Sequence, residues 1–182
     1  ACFIPAQKCV DTIVAKILDP STTDLKIQGY GFTSKPIIDA INVIHNRKKG
    51  NVEVILDKSN DIEQKDEDND GIPDAPKFSG AETLSKNGVP VWIDYLPAIA
   101  HNKVIIIGSR DESGKVIWKT VIGGSYNYTM SAENRNAENV IITEPDIFAG
   151  WYVVNFESRK TVARRYVQKN RIIDFSDQIV YY

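Results

Sequence analysis

A chain of 182 residues that is 42% hydrophobic and 25% charged has the size and composition of one globular domain. No apolar run approaches the roughly 20 residues that cross a bilayer, so no integral membrane segment is expected, and 9% aromatic residues argue against global disorder. The formal net charge of -2, from 22 Lys+Arg and 24 Asp+Glu, speaks against a simple basic nucleic-acid binder, but the charge is unevenly spread. Residues 61–74 hold seven acids and one base, a net of -6, which leaves the rest of the chain at +4. Arg159, Lys160, Arg164, Arg165, Lys169 and Arg171 form a basic cluster near the C-terminus. Taken alone, each run reads as a solvated face.

Phe3-Ile4 reads as a short strand ended by Pro5, and residues 9–18 place Val10, Ile13, Val14 and Ile17 at helical spacing. Residues 24–30 alternate Leu25, Ile27 and Gly29 on one side, a strand pattern. Ser34 opens a helix with Pro36 in its first turn and Ile37, Ile38, Ile41 and Ile44 on its apolar face; Gly50 is expected to end it, after Arg47-Lys48-Lys49. A strand at 52–56 leads into an acidic insertion loop at about 60–78, a short helix at 81–86 and a strand at 89–93. Residues 104–107 form a buried strand, with 115–122 as its hairpin partner across 110–114. A strand at 140–142 and a long amphipathic helix from 146 to about 166 follow, then a C-terminal extension at about 168–182. Strands alternating with helices, then a hairpin, predict a single α/β domain over 1–182, a mixed β-sheet flanked by helices on both faces. The sequence carries no internal repeat.

Cys2 and Cys9 leave two states open. In an oxidising compartment a bridge would staple the first strand to the first helix; reduced, both are small buried apolar groups. Two cysteines do not make a four-ligand zinc site. The chain opens Ala1-Cys2 with no initiator Met and no charged-then-apolar leader, which fits a mature chain after signal-peptide removal or a trimmed one. A periplasmic or secreted location is expected.

The chemistry-bearing residues gather in three segments. His101-Asn102-Lys103 stands at the mouth of the 104–107 strand, Gly124-Ser125-Tyr126-Asn127 follows the hairpin, and Asn136-Ala137-Glu138-Asn139 precedes the next strand. His and Lys two apart on an extended segment project to the same side. An imidazole nucleophile, a cation and neutral donors suit a phosphodiester, because Lys and Asn neutralise the non-bridging oxygens as charge builds in the transition state. A carboxylate such as Glu138 would hold the imidazole tautomer.

The pattern His-x-Lys followed by Gly-Ser-x-Asn resembles the HKD signature of the phospholipase D superfamily, and more closely its small single-motif members, the Nuc-type endonucleases. Segments 29–34, 54–59, 88–92, 101–107 and 124–139 are similar to that family in its order, over about residues 2–165. The resemblance implies a phospholipase D-like α-β-α sandwich with His101 as nucleophile, forming a phosphohistidine. Lys103 and Asn127 would bind the phosphate with Ser125 beside them, and Glu138 would hydrogen-bond and orient His101. It implies no metal for the chemistry, and a second histidine as general acid. The only other histidine, His45, lies within the second predicted helix, away from any phosphate-binding pattern, so the second imidazole is expected from His101 of another copy. A symmetric homodimer with its active site on the two-fold axis follows.

One residue departs from the family pattern: Gly108 stands where the motif places Asp, with Asp111 in the hairpin turn as a substitute. Separately, Asp66, Asp68, Asp70 and Asp74, around Gly71, follow the D-x-D-x-D-G-x-x-D pattern of calcium loops. Lys77 stands where an EF-hand would place its Glu, so the alternatives are a structural Ca2+ site and a flexible acidic loop. The aromatics Trp92, Tyr95, Tyr126 and Tyr128 divide between stacking on bases and core packing. The leading expectation is a non-specific nuclease acting on DNA, with RNA as a further substrate. A phospholipase D acting on lipid headgroups shares every catalytic residue and would be marked by an apolar interfacial patch, which the loops do not show. A nucleic-acid-binding homologue impaired by Gly108 is the third reading.

Overall fold

The computed structural model describes residues 1–47, 50–61, 78–144, 146–168, 171–173 and 179–181. Its elements in chain order are β1 (Cys2–Ile4), α1 (Cys9–Ile17), β2 (Asp24–Gly29), α2 (Lys35–His45), β3 (Asn51–Asp57), a 3-10 turn (Lys58–Asn60), α3 (Gly80–Lys86), β4 (Val91–Asp94), β5 (Lys103–Arg110), β6 (Val116–Gly124), α4 (Met130–Arg135), β7 (Glu138–Thr143), α5 (Asp146–Lys160) and β8 (Arg164–Arg165). A separate two-stranded ribbon joins β9 (Arg171–Ile173) and β10 (Ile179–Tyr181). The main sheet has the order β1-β7-β6-β5-β2-β3-β4-β8. β2, β3 and β4 run parallel, whereas β5, β6, β7 and β1 are antiparallel to their neighbours. The mixed sheet with helices on both faces is the expected α/β architecture.

Two cores follow from the period-2 alternation of the strands. On one face Leu25, Ile27, Val54, Leu56, Ile105 and Ile107 pack with Ile13, Ile37 and Ile41 of α1 and α2. On the other, Ile55, Val104, Ile106 and Val121 meet Ala149 and Phe156 of α5. β2 is buried on both sides, so its polar residues need partners beneath α5. Lys26 pairs with Glu53 and Glu157 and lies over the Phe156 ring at 4.7 Å. Cys2 and Cys9 are joined in a disulfide that ties β1 to α1.

Three sequence expectations change. The second helix stops at His45 rather than at Gly50, because Arg47 turns back to donate to the carbonyls of Leu18, Asp19 and Thr22. Gly50 serves the turn that follows, where a Cβ would fall 1.8 Å from the Ile44 carbonyl oxygen. The last helix ends at Lys160, not near Tyr166. Arg159 makes a bidentate pair with buried Asp94 (2.9 and 2.8 Å), and residues 164–165 leave the helix to pair with β4 as the edge strand β8. Arg165 stacks on Trp92 at 4.6 Å and Arg164 on Tyr95 at 5.5 Å. The short helix α4, which the sequence did not announce, is capped by Thr129, whose hydroxyl accepts from the Ala132 N–H. Its Glu133 accepts in turn from the Val10 N–H in the first turn of α1.

Among the described residues α5 is the one helix packed on the second sheet face, which they leave bare over β7 and β1. Phe3 is 56% and Ile141 51% exposed, and the register (Phe3 opposite Asn139, Gly123 opposite Ile141) places both on the α5 side. Phe148 and Tyr152 of α5, also exposed, line a groove with Ile141, and exposed Trp151 meets the Phe148 ring edge-on with centroids 5.5 Å apart.

Candidate active site

Four strand ends meet at one edge of the sheet. The end of β2 lies beside the start of β5 (Gly29 opposite Lys103), the end of β6 beside β5 (Gly123 opposite Val104), and the start of β7 beside β6 (Gly124 opposite Val140). Antiparallel pairing of β5 with both β2 and β6 thus brings the three sequence segments to one place.

His101 is exposed just before β5, whereas Lys103, the first residue of that strand, is buried. Both contact one aromatic side chain, Tyr30: the imidazole meets its ring edge-on, centroids 4.7 Å apart, and Lys103 Nζ lies 5.2 Å from its centroid. Lys103 Nζ also donates to the His101 carbonyl oxygen at 3.0 Å. Burial pushes the Lys103 pKa down and the nearby Glu138 carboxylate pushes it back up; burial wins, so the ammonium titrates below the ordinary lysine value. A pH profile of kcat/KM is therefore expected to carry an alkaline limb below that value, as Lys103 loses its charge. In Lys103→Arg the limb should move out of range; a limb that stays in place in that variant belongs to another group.

Asn127 is oriented by its acceptor: Oδ1 accepts from the Gly31 N–H at 3.4 Å, which leaves Nδ2 as the donor available to a ligand. The segment carrying it is pinned to the β2–α2 connection, with the Tyr128 carbonyl accepting from the N–H groups of Thr33 (2.8 Å) and Ser34 (2.7 Å). Gly124 has φ +145°, and a Cβ there would fall 2.3 Å from the Asn139 carbonyl oxygen. Tyr126 and Tyr128 are buried, which pushes both phenols up, so these two rings pack in the core rather than stacking on bases. Trp92 is half-buried between Lys160 and Arg165, and Tyr95 is exposed beneath Arg164.

Glu138 and Ser125 stand at this edge with partners other than the expected ones. Glu138 accepts from the Ser125 hydroxyl and, at 2.8 Å, from Asn136 Nδ2. Among the described residues it makes no hydrogen bond to His101: the Ser125 and Asn136 donors flank it and occupy both its oxygens. Ser125 Oγ also accepts from the Asn139 N–H (3.1 Å), so the hydroxyl joins the two loops. Tyr30, Asn136 and Asn139 were missed as site residues, although the first lies in the 29–34 segment and the other two in the 124–139 segment that carried the resemblance.

Gly108 stands far from this chemistry. It lies five residues from Lys103 along β5, about 17 Å at the usual strand rise, opposite Asp24. A Cβ there would meet Trp118 and Val116 side-chain atoms at 2.9 Å. Buried Asp24 supplies a carboxylate at that level, paired with Arg110 at 3.0 and 2.8 Å. Asp111 does not substitute. It is exposed and closes the hairpin turn, accepting from the N–H groups of Ser113 and Lys115. His45 ends α2, which starts at the active edge and runs 11 residues, about 16 Å, away from it. Asp66, Asp68, Asp70 and Asp74 lie outside the described residues. Among the described residues no group of three or more His, Cys, Asp or Glu could hold a metal ion.

Comparison with known proteins agrees with this geometry. Residues 14–160 match the family model described as "Cardiolipin synthase, PLD-like domain". The chain is 37% identical over 163 residues to a "Phospholipase D" of Rickettsia prowazekii (strain Madrid E), covering 89% of this chain and 67% of that protein. It is 25% identical over 158 residues to the "Mitochondrial cardiolipin hydrolase" of Homo sapiens, covering 86% of this chain and 53% of that protein. The chain thus spans about two thirds of the rickettsial relative and about half of the human one. Among solved structures, a phospholipase D family member, Nuc from Salmonella typhimurium, shares the fold with a TM-score of 0.70 at 23% identity, covering 91% of this chain and 95% of that one. NucT from Helicobacter pylori does so with a TM-score of 0.68 at 19% identity, covering 91% and 96%.

Proposed function

The chain belongs to the phospholipase D superfamily, and on that premise we propose that it is a metal-independent phosphodiesterase that cuts nucleic acid, DNA foremost and RNA as a further substrate, through His101. The observation that carries the reading is the convergence of exposed His101, cationic Lys103 and the free amide edge of Asn127 on one open sheet edge. The imidazole nitrogen attacks phosphorus, an N–P bond forms, and the P–O bond to the leaving alkoxide breaks. Lys103 and Asn127 Nδ2 bind the non-bridging oxygens. A second imidazole protonates the alkoxide, then takes a proton from the water that attacks phosphorus and releases His101. Since His45 is remote, that second imidazole is His101 of another copy, and the enzyme works as a homodimer. The bare face of Phe3, Ile141, Phe148, Trp151 and Tyr152, which borders Gly123 and Gly124, is where the second copy docks.

For the substrate, the +4 balance outside residues 61–74 and the exposed Arg164 and Arg165 on an edge strand favour a polyanion. The Cys2–Cys9 disulfide supports an oxidising, periplasmic or secreted setting. The acidic segment around Asp66 and Asp74 is proposed as a structural Ca2+ loop outside the chemistry. The same bare face supports a second reading, a phospholipase D acting on lipid headgroups: the apolar patch that the loops lack is present on β1, β7 and α5.

Plasmid DNA, a mixed-sequence RNA, phosphatidylcholine vesicles and cardiolipin vesicles, each incubated with the protein in EDTA, separate the readings. Nicking of DNA, with slower cleavage of RNA and no headgroup release, is expected. Headgroup release without nicking would establish the lipid reading in its place. DNA binding without hydrolysis of any substrate would point to the impaired homologue.

A further inference from the structure

We propose that Asp57 is a positioning residue for the His101 nucleophile, acting through the Ala100 peptide; the role rests on the phosphodiesterase reading of His101. The imidazole meets Tyr30 edge-on and makes no hydrogen bond among the described residues, so no hydrogen bond of its own ring fixes it. Its placement depends on the backbone at either side. On the C-terminal side β5 begins at Lys103 and is locked into the sheet. On the N-terminal side residues 95–100 form an irregular segment with exposed Leu96 and Ile99.

Asp57 anchors that segment where it reaches the nucleophile. It is the last residue of β3, only 1% exposed, and its Oδ2 accepts from the Ala100 N–H at 2.6 Å while Oδ1 accepts from the Ser59 N–H at 2.9 Å. The next residue after Ala100 is His101. Two further ties hold the start of the segment: Lys58 Nζ donates to the Pro97 carbonyl at 3.2 Å, and the Leu96 N–H donates to Asp94 Oδ1 at 3.3 Å. Asp57 and Asp94 face each other in the β3–β4 register, so two buried carboxylates lie side by side. Arg159 balances Asp94. Among the described residues no Arg reaches Asp57; the Ala100 and Ser59 N–H groups serve its two oxygens instead. Burial pushes the Asp57 pKa up, but the Ala100 and Ser59 hydrogen bonds and the charge of Lys58 outweigh it, so the carboxyl lies below the usual aspartate range. A lowered pKa means that the contact's contribution to stability is fully present above the unfolded value and is lost as pH falls through the folded one. The tie is therefore intact at neutral pH.

Displacing a nucleophile by about 1 Å costs on the order of 100-fold in rate, and that is the scale expected here. Asp57→Asn keeps the shape and one acceptor oxygen, whereas Asp57→Ala keeps neither. With bis(p-nitrophenyl) phosphate, a small phosphodiester, kcat is expected to fall about 10-fold in Asp57→Asn and about 100-fold in Asp57→Ala. KM should stay within about two-fold of wild type. Hydrogen exchange at the Ala100 amide should speed up in both variants while the Ile105 amide, in the middle of β5, keeps its protection. If Asp57→Ala does not fold, the isosteric Asp57→Asn carries the test. Unchanged kcat with a released Ala100 amide overturns the proposal, and so does a loss of kcat accompanied by equal loss of Ile105 protection, which marks general destabilisation. A wild type that hydrolyses nothing brings down the phosphodiesterase reading and this role with it. An active wild type with an unaffected Asp57 variant brings down this role alone.

Discussion

His101→Ala is expected to lose at least about 10⁴-fold in DNA cleavage, because on the proposed mechanism it removes the group that bonds to phosphorus and, in the proposed dimer, the proton donor as well. The wild-type rate should survive EDTA, since the groups proposed to bind the phosphate are Lys103 and Asn127 rather than a metal. A quench in alkali during turnover of an end-labelled oligonucleotide should leave label on the protein, as a phosphoramidate resists base and yields to acid. The label should be absent from His101→Ala. Labelling that persists in the variant would place the nucleophile elsewhere, and cleavage abolished by EDTA in a protein that stays folded would contradict the metal-free mechanism. Lys103→Ala should also be severely impaired yet still accept label slowly, because it loses charge stabilisation but retains the nucleophile.

The second large effect is expected from the bare sheet face. Exposed Ile141, Phe148 and Tyr152 line a groove with Gly123 and Gly124, Trp151 stacks against Phe148, and Phe3 lies on the same sheet face. Burying an apolar side chain of this size contributes about 1.5–3 kcal/mol, and a two-fold axis counts every residue twice. In the proposed dimer an Arg at Ile141 would put two unpaired charges into the contact between copies, each costing several kcal/mol. Ile141→Arg should therefore shift sedimentation from dimer to monomer and lower activity at least about 100-fold, with the fold retained because Ile141 is 51% exposed. Trp151→Glu on α5 should act in the same direction. A wild-type monomer with full activity would end the shared-site model, and an Ile141→Arg dimer with normal activity would place the axis on another face.

Much of this protein is legible along the chain. Ile37, Ile38, Ile41 and Ile44 at helical spacing, the alternation of β2 and the continuous apolar run of β5 mark their elements, because burying one face of a helix or both faces of a strand leaves a periodic trace. His101 and Lys103 two apart, followed by Ser125, Asn127 and Glu138, carry the superfamily resemblance, and their strands do meet at one edge. The scarcity of histidine is equally plain in the sequence, and it is the arithmetic behind the proposed dimer.

Other features depend on residues distant in sequence, and local periodicity carries no trace of them. The chain leaves the helix at Lys160 because Asp94, sixty-five residues earlier, takes Arg159 and because β4 offers an open edge to residues 164–165. Glu138 turns to Ser125 and Asn136 because the loops that carry them close on one another across β6 and β7. Gly108 stands away from the chemistry-bearing residues because the register of β5 puts it at the opposite end of the strand from His101, facing Asp24. Among the described residues one helix packs on the second sheet face, and the exposed Phe3 and Ile141 on that face come into view only when the strands are laid side by side. Local sequence determined which segments become strand and helix and which residues can act on phosphorus. Tertiary structure decided what holds those residues in place, since the Tyr30 ring against His101 and Lys103, the Gly31 N–H on Asn127 and the Asp57 carboxylate on Ala100 all join partners far apart in sequence.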